Sequence, residues 1–285
     1  MKNVLFCLVT LSVFWSSCER DNIVTQNQWA SIFKKYGVDS ACFELADNNH
    51  DQILIYNLAR ASKRYSPAST YKIMNSLIGL ETNVALDENL TLKWDGTVHS
   101  RAEWNKDMNM REAFKVSCVW YYQELARRIG RVEMQKYLDT VRYGNKRMGP
   151  NVDDFWLNDT LQISADEQVG FIKKLYFDKL PFSQRTQRIV RSLMLQEDST
   201  HYKLYYKTGT NWTTVNNKDN ILAWIVGFVE KREIQKGVIT KKEETNYKPY
   251  FFAFNFETPD TSMNFREARI NILKEILRER KILTP

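Results

Sequence analysis

The stretch "SPASTYKIMN", residues 66–75, decides how this chain is read. A proline and several small or hydroxyl residues run into Tyr71, Lys72 and an apolar series, which is the composition of a turn entering a helix. Ser69 and Lys72 are three apart, so on a helix they share a face. In one reading Ser69 only caps that helix. In the other it is a nucleophile and Lys72 is its base. A lysine ammonium cannot accept a proton, but burial disfavours the charged form and lowers the pKa. A lysine made neutral in this way, beside a serine hydroxyl, activates it for acyl transfer. The first turn of a helix also presents backbone N–H groups that stabilise an oxyanion.

The spacing does not settle the matter, because composition alone predicts about one S-x-x-K in a chain this long. Ser31 and Lys34 in "SIFK" form another. They flank the apolar face of "QWASIFKKYGV", where Trp29, Ile32, Phe33 and Tyr36 recur at helical spacing, and they read as a solvated pair. Two later features raise the first site above that background. "KTG" (Lys207, Thr208, Gly209) lies inside an expected strand, where a glycine marks close backbone approach. A strand edge beside a lysine suits an extended, acyl-bearing, anionic substrate. Alone, the triplet reads equally as a strand end. Ser117, in "SCV", places a hydroxyl in a helical region. Alone it reads as a serine bonded to its own helix.

The whole chain has 285 residues, enough for one large domain or two small ones. It is 43% hydrophobic and 26% charged, an ordinary globular balance that excludes a disordered or fibrous protein. Net charge is +7, but no face or stripe concentrates it, which argues against a nucleic-acid partner. A mildly basic protein favours an anionic small substrate. The opening "MKNVLFCLVTLSVFWSSC" has Lys2, an apolar run from Val4 to Trp15 and then small residues, so residues 1–18 read as a signal peptide. "SSC" also fits a lipoprotein signal that would lipidate Cys18 and anchor the protein to a membrane. Either way the protein is expected to be exported, to the periplasm, as residues 19–285 with a charge of +6. Cys42 and Cys118 are then the remaining cysteines besides Cys18, too few for a disulfide framework. His50, His99 and His201 lack metal-ligand spacing, so no metal site is expected.

Helices and strands segregate along the chain. "ILIYN" (53–57) reads as a strand, and the pattern from Ser69 to about Leu195 is mostly helical. "MREAFKVSCVWYYQELARRIG" reads as one helix closing at Gly130, and Ser164 three residues before Glu167 forms a capping box. "YKLYYKTGT", "ILAWIVGFVEK" and "PYFFAFNFE" read as three consecutive antiparallel strands. A polar segment, Arg232–Lys248, separates the last two and is long for a hairpin loop. "REARINILKEILRERKIL" closes the chain as an amphipathic helix. The expected fold class is α+β, with a helical subdomain over roughly 70–195 and a sheet subdomain from roughly 25–69 and 196–285.

Taken together, S-x-x-K, a later serine motif and K-T-G in that order match the pattern of penicillin-recognising active-serine proteins. "LARASKRYSPASTYKI", "KWDG", "SCV", "YGN" (143–145), "FWL" (155–157), "ISADEQVGF", "YKTGT", "WIVGFVEK" and "FFAFNFE" resemble the class D, oxacillinase-type serine β-lactamases in sequence and order. The likeness runs from about Trp29 to Leu283. It implies a helical subdomain against an antiparallel sheet flanked by terminal helices, with the site at the seam.

The resemblance also implies roles. Ser69 would open the β-lactam to an acyl-enzyme. Lys72 would be carboxylated on its side-chain nitrogen by CO2 and would act as the base for acylation and deacylation. No other cofactor is implied. Trp156 would hydrogen-bond the carbamate through an indole that is donor only. Ser117 would relay a proton to the leaving nitrogen. Val119 would cover the carbamate with apolar surface. Lys207 would supply positive potential. Thr208, Gly209 and Thr210 would line the substrate strand, the backbone N–H groups of Ser69 and Thr210 would form the oxyanion hole, and Arg269 or Arg266 would bind the substrate carboxylate, with Arg269 the better match. Tyr143 and Asn145 read as structural edges of the site. Cys42 stands where some relatives hold half of a disulfide, and with no partner nearby that bridge is not expected. Substrate breadth would depend on Val119, Trp156 and a 211–220 loop. A β-lactam-sensing domain that acylates without turnover shares "STYK", "WDG" and "YYKTG" with this chain and is the alternative, and a cell-wall transpeptidase is a third. Oligomeric state is not legible.

Overall fold

A computed structural model describes residues 22–215, 218–236 and 243–284. The expected leader, with Cys18, lies outside the described residues. A seven-stranded sheet forms the spine. Its strands are β1 (Ile23–Thr25), β2 (Ser40–Asp47), β3 (Gln52–Tyr56), β6 (Leu195–Asp198), β7 (Tyr202–Val215), β8 (Lys218–Lys236) and β9 (Glu243–Thr258), in the order β1-β3-β2-β9-β8-β7-β6. The order places strands from both ends of the chain side by side, with β2 against β9. Every pair is antiparallel except β1 with β3. A separate short ribbon pairs β4 (Thr91–Leu92) with β5 (Met108–Asn109).

Both faces of the sheet are covered, so its central strands are apolar on both sides rather than alternating apolar with polar. In β9, Phe252, Phe254 and Phe256 face one core while Phe251 and Ala253 face the other. The first core is roofed by α1 (Trp29–Lys35) and α9 (Phe265–Glu279). Trp29 Nε1 donates to Glu279 Oε1 at 3.1 Å, which ties the two terminal helices together. The larger core lies under the helices of the chain's middle: α3 (Lys72–Glu81), α4 (Met110–Lys115), α5 (Val119–Ile129), α6 (Arg131–Val141), α7 (Ala165–Tyr176) and α8 (Gln184–Met194). The short α2 (Leu58–Ala61) leads from β3 toward the Ser69 turn. Each large apolar side chain buried here contributes about 1.5–3 kcal/mol relative to exposure.

Four expectations need correction. The single helix over residues 110–130 is two helices. It breaks at Val116–Cys118, where Ser117 takes a left-handed backbone (φ +57). The hydrophobic period runs through the break, so the pattern did not reveal it. Ser69 does not open an α-helix. It lies in a 3-10 turn, Ala68–Tyr71, and Lys72 is the first residue of α3. Most of the Arg232–Lys248 segment is paired strand, with register from Arg232↔Tyr247 to Lys236↔Glu243, and residues 237–242 lie outside the described part. Its charged side chains suit a solvated extension of the hairpin, and polarity concealed it. The 211–220 loop is likewise mostly strand, with Val215 paired to Lys218.

Candidate active site

The Ser69 turn is held from several sides. Trp224 Nε1, on β8, donates to Ser66 O at 2.9 Å. Ser66 Oγ donates to Trp156 O at 3.0 Å, which ties the turn to the loop carrying "FWL". Thr70 Oγ1 donates to Pro67 O at 2.7 Å and accepts from Gln168 Nε2 at 3.0 Å. Ala68 has φ +48, a costly conformation for a residue with a Cβ, and these bonds hold it there. A 3-10 turn has three residues per turn, so Ser69 and Lys72 stack directly. Lys72 Nζ lies 2.7 Å from Ser69 Oγ.

The left-handed Ser117 brings a second hydroxyl to the same place. Its Oγ lies 3.3 Å from Lys72 Nζ and 2.9 Å from Lys207 Nζ, and Lys72 Nζ also donates to Ser117 O at 3.2 Å. Lys207 comes from β7, so a helix start, a helix break and a strand meet at three side chains. Gly209 makes that meeting possible. A Cβ there would stand 2.8 Å from Pro67 O and 3.2 Å from Thr70 N, both backbone atoms of the Ser69 turn. The close approach marked by the strand glycine is therefore to the Ser69 turn. β6 pairs with β7 only through Tyr205, which leaves the outer edge of β7 from Lys207 onward without a strand partner among the described residues.

Burial sets the electrostatics. Lys72 is 1% exposed, and its pKa falls to about 7, chiefly through desolvation, with Cys118 opposing the shift and Arg101 adding to it. Lys207 is pushed well below the usual lysine range, first by desolvation and then by Lys72, Arg269 and Arg101. Tyr122 and Phe114 place ring faces 5.5 and 5.6 Å from Lys72 Nζ and Lys207 Nζ. A cleft of about 340 Å³ opens above, lined by Ser69, Ser117, Val119 and Thr208–Thr210. Lys72, Lys207 and Trp156 are buried and are not part of its lining. Trp156 stacks on Tyr71 with ring centres 5.3 Å apart.

Both candidate arginines line the cleft, in different states. Arg269 is buried, and its Nη1 donates to Gly209 O at 2.9 Å and Thr210 Oγ1 at 3.1 Å. Desolvation, then Arg266 and Arg101, hold it near a pKa of about 10, while Tyr206 raises it. Arg266 is exposed one turn earlier. Tyr143 packs edge-on against Tyr71, and Asn145 clamps the 160–162 segment, its Nδ2 donating to Thr160 O and its Oδ1 accepting from Gln162 N. Cys42 and Cys118 are free and buried, in different elements. Among the described residues no group of three or more His, Cys, Asp or Glu is placed to hold a metal ion. Sequence reasoning missed Arg101, Trp104, Lys115, Trp212 and Phe265 in the cleft lining. "HSRAEW" (99–104) follows "KWDG" closely enough to have been read with it.

Ser69 beside a buried lysine, Ser117 between two lysines and a β7 edge without a strand partner among the described residues make a site whose geometry suits acyl transfer. Residues 34–253 match the model of the penicillin-binding protein transpeptidase domain. The chain is 37% identical over 263 residues to β-lactamase OXA-5 of Pseudomonas aeruginosa, covering 92% of each chain. It is 40% identical over 240 residues to β-lactamase OXA-48 of Klebsiella pneumoniae, covering 84% of this chain and 83% of that one. The structure of FUS-1 (OXA-85), a class D β-lactamase from Fusobacterium nucleatum subsp. polymorphum, superposes with a TM-score of 0.80 at 33% identity, over 92% of this chain and all of that one. The chain belongs to the class D β-lactamases and is a serine β-lactamase hydrolase.

Proposed function

We propose that the protein opens β-lactam rings through a Ser69 acyl-enzyme and that Lys72 works in its N-carboxylated form. The observation that carries this reading is the 2.7 Å contact between Ser69 Oγ and the Nζ of a buried lysine whose pKa falls to about 7. Ser69 Oγ attacks the lactam carbonyl carbon, and the ring C–N bond breaks. Ser117 Oγ delivers a proton to the released nitrogen and is poised for this by Lys207 Nζ. The backbone N–H groups of Ser69 and Thr210 take the oxyanion. Arg269, beside Thr210, takes the substrate carboxylate, and Val119 limits water. Water then attacks the ester, and Ser69 recovers its proton.

Carboxylation joins a neutral amine to CO2 and releases one proton. The site fits a carbamate, because Lys72 is dry and about half deprotonated near pH 7, with two hydroxyls within reach. Trp156, buried and stacked on Tyr71 next to Lys72 in the chain, is the candidate indole donor. A carbamate would supply an anionic base to take the proton from Ser69 and from water. Charge balance favours it as well. Lys72 as a cation depresses Lys207. An anion in its place reverses that contribution and favours the protonated form of Lys207 beside Ser117, against the larger effect of desolvation. We also propose export to the periplasm, which the Lys2-led apolar run supports.

The test is steady-state hydrolysis of a chromogenic β-lactam, with and without bicarbonate. Sustained turnover that bicarbonate raises is expected. Ser69→Ala should abolish acylation, and Lys72→Ala should leave little turnover. A single stoichiometric burst unaffected by bicarbonate would replace this reading with the β-lactam sensor.

A further inference from the structure

The cleft carries more positive charge than one substrate carboxylate requires. Arg269 is enough for that carboxylate, yet Arg101, Lys115 and Arg266 also line the cleft, and no Asp or Glu does among the described residues. Arg101 and Arg266 arrive from different segments, one beside the 3-10 turn Ala102–Trp104 and one from the first turn of α9. Arg101 is fixed in place. Its guanidinium lies 4.8 Å from the Trp104 ring centre. Trp104 in turn donates from Nε1 to Val116 O and accepts at its carbonyl from Trp120 Nε1.

One carboxylate of the chain already pairs with Arg101. Glu103 Oε1 accepts from Arg101 Nε at 2.9 Å and from Arg101 Nη2 at 2.5 Å. Its carboxyl is held below the usual glutamate range, first by its own backbone N–H and then by Arg101, with Arg266 adding to the effect from a distance. Glu103 is exposed and does not line the cleft, so a substrate anion can exchange with it.

We propose that Arg101 and Arg266 form a second anion-binding position, so that the enzyme favours β-lactams whose acyl side chain carries its own carboxylate or sulfonate. This specificity rests on the β-lactam reading above. The ring-fused acid goes to Arg269, and the side-chain anion goes to the Arg101–Arg266 pair in place of Glu103. Planar guanidinium forks suit such oxyanions. The position is open to solvent, so salt weakens it.

The test compares a penicillin bearing a phenylacetyl side chain with its α-carboxy derivative. The readout is the ratio of their second-order acylation rate constants, dianion over monoanion, measured by competition with a fluorescent penicillin. Acylation is measurable whether or not the acyl-enzyme is released, so a failure of turnover would count against the hydrolase reading and leave this ratio decisive. The ratio should fall about tenfold in Arg101→Gln/Arg266→Gln and rise in Glu103→Gln. It should also shrink in wild-type enzyme at about 0.5 M salt. Arg101→Lys should keep part of the preference. A ratio that stays within about twofold of wild type in the double variant and does not respond to salt would overturn the proposal.

Discussion

Lys72 and Lys207 share one hydroxyl, with their Nζ atoms 3.3 and 2.9 Å from Ser117 Oγ. Both are buried, and each disfavours charge on the other, so the pair does not carry two protons at neutral pH without cost. This arrangement gives a pH signature. Lys72 must be neutral to accept a proton or to react with CO2. With its pKa near 7, kcat/KM should fall as pH drops below about 7, with lysine as the titrating base. Added bicarbonate should matter most on that acid limb. A profile flat from pH 5.5 to 9 would contradict the assignment of the base.

Linkage gives the same pair an effect on stability. Lys72 has a folded pKa of about 7 against an unfolded value of 10.5. Within that window the unfolded chain binds more protons, so this group makes stability rise with pH. Lys207, lowered further still, acts in the same direction. Lys72→Met should therefore be more stable than wild type at pH 7, with the gap closing toward pH 10. Thermal melts across that range would show it. A gap that widens with pH would refute the sign.

Glu44 should behave in the opposite way. It is 1% exposed in β2, its Oε2 has no hydrogen-bond partner, and it lines a cavity of about 160 Å³ with Asp166 and Lys173. Desolvation, helped by Asp166, raises its carboxyl from 4.5 to about 8. The folded state binds more protons between those values, so stability is kept at low pH and lost as pH rises through about 8. Glu44→Gln should match wild type below about pH 4.5, and the gap in its favour should grow as pH rises to about 8, reaching a few kcal/mol at pH 9. A stability difference independent of pH would exclude burial of the charge as the cause.

Much of this was legible from residue order. The segregation of helical and strand periods predicts the two layers, and the ordered motifs mark Ser69, Lys72, Ser117 and Lys207, which the structure brings together. The misses share a cause. The break between α4 and α5 hides inside one hydrophobic period, because a left-handed serine leaves no compositional trace as a glycine would. The extended β8–β9 hairpin reads as loop because its sequence is polar and charged. Trp212 reaches the cleft only through tertiary approach, which spacing along the chain does not encode.

Ser117 allows backbone and hydroxyl to be separated. Its φ of +57 is strained for any residue with a Cβ, by about 1–2 kcal/mol. Ser117→Ala and Ser117→Gly both remove the hydroxyl, and each should lower kcat by roughly 10²–10⁴-fold if Ser117 passes the proton. Only Ser117→Gly relieves the strain, so it should melt higher than Ser117→Ala. Equal melting temperatures would mean that the left-handed turn stores no strain.

Gly209→Ala tests the approach of β7 to the Ser69 turn. The added methyl would meet Pro67 O at 2.8 Å and Thr70 Cγ2 at 3.1 Å. A side-chain tip could rotate away, but a carbonyl in a turn fixed by Ser66, Thr70 and Gln168 cannot move without carrying Ser69 along. Displacements of about 1 Å at a reacting group cost on the order of 10²-fold. The variant should therefore fold, keep its far-UV spectrum and acylate about a hundredfold more slowly. Arg269 donates to Gly209 O, so KM for a substrate held by its carboxylate should rise as well. Wild-type acylation by Gly209→Ala would show that the turn yields where the hydrogen bonds say it is held, and the rigid positioning of Ser69 would have to be abandoned.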